Sequence, residues 1–187
     1  MRVTREQAAA NREKILAVAG RLFRERGYAG VGVDDIMRRA GLTHGGFYNH
    51  FASKDDLAAE ITARVLGKGG WLQRLTGRGH PSLREVIGAY LSPAHRDDRG
   101  TGCLVAALSA DVVRQPRGVR RAFTDGLRVR IDALTTLVSG RSAAARRRKA
   151  LATLAGLVGA LTLSRAVDDP ELSDDILDAV VATFARI

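Results

Sequence analysis

Residues 41–54 read GLTHGGFYNHFASK, a stretch that holds a turn, a very short helix and the start of another helix within fourteen residues. Gly41 can adopt the left-handed conformation that ends one helix and turns the chain sharply into the next. Thr43 is expected to cap the short helix, because its hydroxyl can accept from an otherwise unpaired backbone N–H. Two helices joined by a short turn that contains glycine form a helix-turn-helix, whose second helix enters the major groove of DNA.

The segment before this turn predicts the first helix of the pair. Four of its apolar residues have the i, i+3, i+4, i+7 spacing of one buried helical face: Val33, Ile36, Met37 and Ala40. A scaffold helix is expected upstream over residues 4–26, where Thr4 opens a capping box with Gln7 and Gly27 stops the helix. The three helices would form a small N-terminal domain over residues 1–54.

Side-chain chemistry separates the core of the short helix from its DNA-facing positions. Phe47 and Phe51 lie four residues apart and are expected to face inward. Three side chains can meet base edges, and an asparagine can form a bidentate pair with adenine: Thr43, His44 and Asn49. Two glycines would let the backbone approach the groove closely, and three side chains suit phosphate contacts: Gly45, Gly46, Tyr48, His50 and Lys54. The alternative for Tyr48 and His50 is that they merely cap the small core.

A set of short pieces runs in order along the N-terminal part of the chain: Ile15-Leu16, Leu22-Phe23, Gly27-Tyr28, Val33-Asp34-Asp35-Ile36, Gly41-Leu42-Thr43, Phe47-Tyr48, His50-Phe51 and Ser53-Lys54-Asp55-Asp56-Leu57. The set resembles the DNA-binding domain of the TetR/AcrR family of bacterial transcriptional repressors. The resemblance covers under a third of the chain. It implies an all-helical homodimer that represses transcription at an operator, with two small DNA-binding domains carried on a larger helical body that binds an effector. It also places phosphate contacts at Tyr48, His50 and Lys54.

The chain departs from the family pattern at two places. Val31 and Gly32 stand where the family usually has two hydroxyl residues, and glycine caps a helix less well than serine or threonine. Gly46 stands where threonine, serine or alanine is usual, so one phosphate or base contact of the family is in doubt. The domain is expected to fold, but its operator sequence does not follow from these residues.

Composition favours an all-α protein without membrane spans. The 187 residues are 45% hydrophobic and only 5% aromatic, and no β-branched run alternates with polar residues. No stretch near 18 uninterrupted apolar residues occurs, and the N-terminus lacks the apolar region of a signal peptide. One cysteine cannot form a disulfide within the chain. A cytoplasmic protein is expected.

The net charge of +10 favours a polyanionic partner, double-stranded DNA. Residues 1–54 hold ten Lys and Arg against five Asp and Glu, and the other 133 residues hold twenty against fifteen. The same excess of five cations therefore lies on a much shorter piece. Solvated arginines without a fixed partner are the alternative for any single position.

Residues 55–187 are expected to form a helical effector-binding and dimerisation domain. The glycine clusters at 67–70 and 77–79 should break helices, and Ser82 should cap a helix that Pro93 closes. An apolar pocket for an unknown small-molecule effector is hypothesised, although ordinary core is the stronger interpretation of most of its residues: Trp71, Leu75, Tyr90, Cys103, Leu104, Leu108, Phe123 and Leu127.

The last two helices predict the dimer interface. Between residues 143 and 167 one face would carry Leu151, Leu154, Val158 and Leu161, and small residues line another face, so the helix is apolar nearly all round and must be covered on two sides. Two helices from each subunit would form a four-helix bundle; a central helix inside a monomer is the alternative. The expected interface residues are Leu151, Ala152, Ala155, Gly156, Gly159, Leu163, Ile176, Val180 and Phe184.

Three further hypotheses remain open. Cys103 near a helix N-terminus, with Arg96 and Arg99 close in sequence, could be a reactive thiolate of a redox- or electrophile-sensing repressor, although a free cysteine is more often a buried core residue. An enzyme is not expected, because neither the cysteine nor the scattered histidines have metal-ligand or triad spacing, and no metal or cofactor is predicted. A non-specific architectural DNA-binding protein is the third hypothesis; its affinity would depend on salt but not on sequence.

Overall fold

The computed structural model describes residues 4–67, 71–77 and 79–184, and every regular element in this part of the chain is helical. The described residues form ten α-helices, and a short 3-10 helix, His44–Asn49, lies between the second and the third of them. The α-helices are α1 Arg5–Arg26, α2 Val33–Arg39, α3 Lys54–Leu66, α4 Trp71–Thr76, α5 Leu83–Tyr90, α6 Pro93–Asp97, α7 Leu104–Val112, α8 Arg117–Thr135, α9 Ala143–Ala166 and α10 Pro170–Phe184. The all-α prediction is confirmed.

The chain forms two compact units that are each built from two segments. Unit 1 comprises Met1–Val65 and Arg99–Thr124, and unit 2 comprises Leu66–Asp98 and Asp125–Ile187. The unit boundary divides α8, so the contacts group the chain differently from a division at residue 54. The predicted division at residue 54 separates DNA binding from effector binding and dimerisation, and it stays a prediction.

The end of α1 is fixed by several interactions within unit 1. Gly27 has φ 75°, the left-handed region that glycine favours, and its N–H donates to the carbonyl of Phe23 at 2.8 Å. The buried ring of Tyr28 packs on that of Phe23 with 5.2 Å between centroids, and its hydroxyl lies 2.8 Å from that of Thr62. The Asp111 carboxylate accepts from the Tyr28 N–H at 3.2 Å. The predicted stop at Gly27 therefore also anchors α1 to α3 and α7.

One buried cluster in the core of unit 2 lies between α5, α8 and α9. Its buried members are Val86, Ile131, Leu134, Val138, Ala150 and Leu154. Leu72 and Leu75 of α4 pack against this cluster. Helix α4 lies between the two glycine clusters that were expected to break helices, in a stretch for which no helix was predicted. Pro93 was expected to end a helix, but it begins α6, with the Ser92 hydroxyl accepting from the His95 N–H at 3.2 Å. The helix that Ser82 caps does end before Pro93, at Tyr90, but proline also fits the first turn of a new helix, where its missing N–H is not needed.

The capping prediction for α5 is confirmed, whereas the predicted breakers at 68–70 lie outside the described residues. Ser82 and Glu85 form the complete capping box at the start of α5. Among the described residues, none of the helices combines the length and apolar character that crossing a membrane requires.

Candidate nucleic-acid interface

The turn and the 3-10 helix position the candidate interface. Gly41 has φ 70°, and the Leu42 N–H donates to the Met37 carbonyl at 2.9 Å, which closes the end of α2. Thr43 occupies the N-cap position, but its hydroxyl makes no capping hydrogen bond. The Thr43 carbonyl accepts from the Gly46 N–H at 3.0 Å instead. The expected side-chain cap was therefore wrong, since the tight 3-10 geometry satisfies this N–H from the backbone.

The inward-facing prediction for the two phenylalanines is confirmed. Phe47 is fully buried and Phe51 nearly so, with 5.6 Å between their ring centroids. The 3-10 helix also packs against α2, whose Ile36 and Met37 are buried. Apolar contacts thus hold the segment from behind, so its other face is presented on a fixed support.

The outer face of the 3-10 helix carries the predicted DNA-facing residues. Thr43, His44, Gly45, Tyr48 and Asn49 are exposed, and Gly46 and His50 are half-buried. Tyr48 is 61% exposed although its ring meets that of Phe47 edge-on, with 5.3 Å between centroids. An aromatic side chain this exposed beside a polar segment is available to a partner. The half-buried His50 fits either a phosphate contact or a cap on the small core.

Lys54 lies at the start of α3 and stabilises the turn after α1. Its ammonium group donates to the carbonyls of Tyr28 and Val31 at 2.9 and 3.0 Å. An ammonium group has three N–H donors, so the third can still donate to a phosphate. The hydroxyl of Ser53 accepts from the Asp56 N–H at 3.0 Å and caps α3.

His44 and Asp34 form a contact that the sequence pattern did not indicate. The Nδ1 atom of His44 is hydrogen-bonded to an Asp34 carboxylate oxygen, although the residues are ten apart. Both border an open groove of about 530 Å³ together with Arg38 and Thr43. The available signal was that Asp34 lies in the first turn of α2, which a helix-turn-helix brings beside the start of its second helix.

Asp35 binds three arginines and fastens α2 to the end of α1. Its carboxylate accepts from Arg26 at 3.0 Å, from Arg39 at 3.2 Å and also from Arg38. Burial raises the pKa of Asp35, but the Arg39 hydrogen bond and the three guanidinium charges outweigh it, so this pKa lies below its ordinary value. Part of the positive charge of residues 1–54 is therefore neutralised within the chain.

Arg12 and Glu60 join α1 to α3 behind the 3-10 helix. The guanidinium donates to both carboxylate oxygens, at 2.7 and 2.5 Å, and lies 4.6 Å from the Phe51 ring centroid. The Arg12 hydrogen bond holds the pKa of Glu60 below its ordinary value, with the Arg12 and Arg64 charges adding to the effect against burial. Arg12 thus supports the 3-10 helix from within unit 1.

Replacement of Glu60 by glutamine is expected to lower the free energy of unfolding at pH 7 by about 1 kcal/mol after solvent screening. A depressed carboxylate pKa in the folded state stabilises the fold above the unfolded-state pKa, and this contribution disappears as the pH falls through the folded-state value. The stability difference should therefore shrink as the pH falls below about 4.3, the ordinary glutamate pKa, and disappear below the lower folded-state value. Urea unfolding at pH 7 and at pH 3.5 measures this, and an equal difference at both values would contradict it.

The hypothesised pocket residues divide between the two units. Leu104, Leu108 and Phe123 are buried in unit 1, where Cys103 precedes α7 and is partly buried. Tyr90 is buried and Leu127 partly buried in unit 2. Leu75 packs on the unit 2 core, and the Trp71 side chain lies outside what the structure describes. A shared effector pocket, and a sensing role for Cys103, stay predictions.

The outer face of α9 carries most of the expected interface residues. Leu151 and Leu163 are 43% and 57% exposed, Ala152 and Ala155 are exposed, and a side chain added at Gly159 would meet no atom within 4 Å. Ile176 and Val180 of α10 are half-buried. The expectation that Leu151 shares a face with Leu154 was wrong, because Leu154 and Leu161 point into unit 2 while Leu151 points outward.

Gly156 and Phe184 meet within one chain. A Cβ built at Gly156 would lie 2.7 Å from a ring atom of Phe184, so the bare glycine lets the aromatic ring of α10 pack directly on α9. These two expected interface residues therefore join α9 to α10. In residues 4–67, 71–77 and 79–184 no group of three or more His, Cys, Asp or Glu side chains could hold a metal ion.

Comparison with known proteins places this geometry in a family. The family model of bacterial regulatory proteins, tetR family, matches residues 15–61, which contain the turn and the 3-10 helix. The HTH-type transcriptional repressor NemR of Escherichia coli is 32% identical over 138 residues, which are 70% of this chain and 68% of NemR. The HTH-type transcriptional regulator AcrR of Shigella flexneri is 42% identical over 60 residues, 32% of this chain and 28% of AcrR.

Solved structures share the fold along nearly the whole chain. The crystal structure of reduced Escherichia coli NemR matches with a TM-score of 0.76 at 23% identity, covering 95% of this chain and 96% of that one. A TetR-family transcriptional regulator from Agrobacterium tumefaciens matches with a TM-score of 0.77 at 20% identity, covering 96% and 98%. The helix-turn-helix, the helical body and the similarity to NemR agree, and this chain belongs to the TetR family of bacterial regulatory proteins.

Proposed function

We propose that this protein is a sequence-specific transcriptional repressor that binds a palindromic operator as a homodimer and leaves it when a small-molecule effector binds. The observation that carries the proposal is the 3-10 helix, which buries Phe47 and exposes polar residues on a fixed support. In this proposal residues 1–54 read the DNA, and residues 55–187 carry the effector site and the dimer interface. Because chromosomal DNA is the partner, the protein would act in the cytoplasm.

The candidate DNA-facing residues divide between base and phosphate contacts. Thr43, His44 and Asn49 would meet base edges in the major groove, and the bare backbone at Gly45 and Gly46 would allow close approach. Tyr48, His50 and Lys54 would donate to phosphates, which fix the register of the helix without reading sequence. A side chain added at Gly45 would meet nothing within 4 Å of the same chain, so packing within the domain gives no reason for this glycine.

A competition assay separates the specific repressor from an architectural DNA protein. The protein is bound to a labelled duplex that it selected from a random pool, at about 150 mM salt, and unlabelled random duplex is added. A specific repressor should need about a thousandfold excess of random duplex for displacement. Displacement by an equal amount of random duplex would favour the architectural protein, whose affinity comes from phosphate contacts alone.

The proposed dimer interface is the outer face of α9 together with α10. Leu151 and Leu163 are exposed on the long α9 helix, and the small residues between them allow a second helix to approach closely. A closed two-fold dimer would also place the 3-10 helices of both subunits on one palindromic site. The alternative is that α9 is a central helix of a monomer, covered only by its own chain. That alternative would leave the exposed Leu151 and Leu163 unexplained.

Replacement of Leu163 by glutamate tests the interface. In a two-fold dimer both copies would bring an unpaired carboxylate into the contact, so the dimer dissociation constant should rise at least about 100-fold. Sedimentation equilibrium over a concentration series measures this constant. The matched control is Val113→Glu, because Val113 is 68% exposed at the end of α7 and lies outside the proposed face. Equal constants for the two variants would contradict the proposed interface.

A further inference from the structure

The second segment of unit 1 is strongly basic. Unit 1 holds sixteen Lys and Arg against nine Asp and Glu, so it carries seven of the ten excess cations of the chain. Four of those seven come from residues 99–124, which contain five arginines and one acidic residue, Asp111. The basic surface of the unit that holds the 3-10 helix therefore extends beyond the helix-turn-helix itself.

Three of these arginines lie where α7 meets α8. Arg114 follows α7, Arg117 and Arg120 belong to the first four residues of α8, and all three are exposed. In residues 4–67, 71–77 and 79–184, no carboxylate pairs with Arg117 or Arg120. Arg114 donates to the Asp111 carboxylate at 2.7 Å, and its guanidinium group keeps further N–H donors. Arg114, Arg117 and Arg120 together are called the basic corner.

Helix stability gives no reason for the basic corner. The amino end of a helix carries a partial positive charge, so acidic residues stabilise it and basic residues destabilise it. Helices α2 and α3 each have two aspartates in their first turn, whereas α8 has no acidic residue there. Arg117 and Arg120 are also three residues apart on one helical face, where like charges repel. The basic corner destabilises the start of α8, which points to a binding role.

Two contacts fix the position of the basic corner within unit 1. On one side of it, Asp111 accepts from the Tyr28 N–H at 3.2 Å. On the other side, a Cβ built at Gly118 would lie 3.9 Å from the Cβ of Ala59 in α3. Lys54 is the first residue of α3, and its ammonium group donates to the Tyr28 carbonyl at 2.9 Å. The basic corner therefore lies beside Lys54, the proposed phosphate contact.

We propose that the basic corner is a second DNA contact surface, whose arginines bind phosphate oxygens of the duplex next to those that Lys54 meets. Arginine suits this role, because its planar guanidinium group can donate to two phosphate oxygens at once. Duplex DNA is favoured over an acidic protein, because the corner adjoins the candidate DNA interface in the same compact unit. The contact adds affinity without sequence preference. This inference rests on the proposed function, because it concerns the same complex.

The test measures how the affinity for the selected operator depends on salt, by fluorescence anisotropy. Each neutralised phosphate contributes about 0.9 to the slope of log affinity against log salt concentration. Arg117→Gln with Arg120→Gln, present in both subunits, should therefore reduce the slope by about 3–4 and weaken binding at about 150 mM salt at least about 30-fold. The ranking of single-base operator variants should stay unchanged, because phosphate contacts carry no base preference. Arg114 is kept, because its removal would also change the surroundings of Asp111.

A matched double variant separates a local contact from the loss of net charge. Arg84 and Arg141 are exposed in unit 2, and Arg84 lies in the first turn of α5. Arg84→Gln with Arg141→Gln removes the same charge and should keep the native slope. Arg117→Lys with Arg120→Lys should keep most of the slope, because lysine also releases counterions. The thermal midpoints of all three double variants should stay within about 3 °C of the native value, because the replaced residues are exposed.

The outcomes separate this inference from the proposed function. A native slope in the Arg117→Gln, Arg120→Gln protein, with the operator still bound, would overturn the second DNA contact and leave the repressor standing. An acidic protein would then be the partner that fits the charge. Equal losses of slope in both glutamine double variants would also overturn the inference, because net charge alone would explain them. If no duplex is selected at any salt concentration, the proposed function and this inference both fail.

Discussion

Replacement of Asn49 by alanine is expected to weaken operator binding at least about 30-fold and to relax the preference for one base pair in each half-site. A bidentate asparagine–adenine contact contributes about 1–3 kcal/mol, and a two-fold dimer would lose two of them. The side chain is exposed on the 3-10 helix, so its removal should leave the unfolding temperature unchanged. Binding of the operator and of its single-base variants at fixed salt measures both effects.

The chain supplies a matched control for this variant. Asn11 in α1 is the other asparagine of the sequence, and it accepts a hydrogen bond from Gln7 one turn earlier. Asn11→Ala is expected to leave the ranking of the single-base variants intact, because phosphate or scaffold positions carry no base preference. Loss of the same base preference in both variants, or in neither, would contradict the base-reading role of Asn49.

Replacement of Gly126 by alanine is expected to lower the free energy of unfolding by about 3 kcal/mol, near the upper end for overpacking. An added Cβ would overlap the Cβ of Leu66 and lie 3.2 Å from the Leu66 carbonyl carbon, and neither atom can rotate away. The buried Arg130 donates to the same Leu66 carbonyl at 2.7 Å, which limits any shift of the backbone. The thermal midpoint should fall by about 6–12 °C, as circular dichroism would record.

Gly88→Ala controls for helix propensity in the Gly126 experiment. Gly88 lies on the exposed side of α5, and an added Cβ would meet nothing within 4 Å. Alanine is better than glycine inside a helix by about 1 kcal/mol, so this variant should unfold at a higher temperature. A Gly126→Ala protein as stable as Gly88→Ala would show that α8 does not pack against Leu66 as closely as described.

The parts of the fold that could be predicted are those that local chemistry determines. Gly27 and Gly41 have the positive φ angles that their helix-ending roles require, and Ser82 with Glu85 forms its capping box. Helix α4 could not be predicted, because a six-residue segment between glycine clusters is helical only through packing of Leu72 and Leu75 on the unit 2 core. Such tertiary stabilisation overrides the weak local preference.

The orientation of α9 was predicted only in part. Its sequence is apolar nearly all round, so hydrophobicity does not distinguish the core side from the outer side. Thr153 and Ser164 lie on the buried side, whereas Leu151 and Leu163 lie on the outer side. Contacts with other elements decide this orientation; the Ser164 carbonyl, for example, accepts from the Ser173 hydroxyl of α10 at 2.7 Å.

The candidate interface, too, could be predicted only where local side-chain chemistry determines it. Local side-chain chemistry identified Thr43, Tyr48 and Asn49, which the structure places on the exposed side of the 3-10 helix. Asp34 and Glu60 were missed, because each acts through a partner that is distant in sequence: His44 and Arg12. Spacing rules describe one helix at a time and do not identify such pairs.

The most direct test of the central claim is selection of bound duplexes from a random DNA pool by the full-length protein at about 150 mM salt. A dimeric repressor with two reading segments should enrich a palindrome whose half-sites lie about one helical turn or a multiple apart, on the same face of the duplex. Enrichment of no sequence, with binding that falls steeply as salt rises, would contradict the specific repressor and leave an architectural DNA protein.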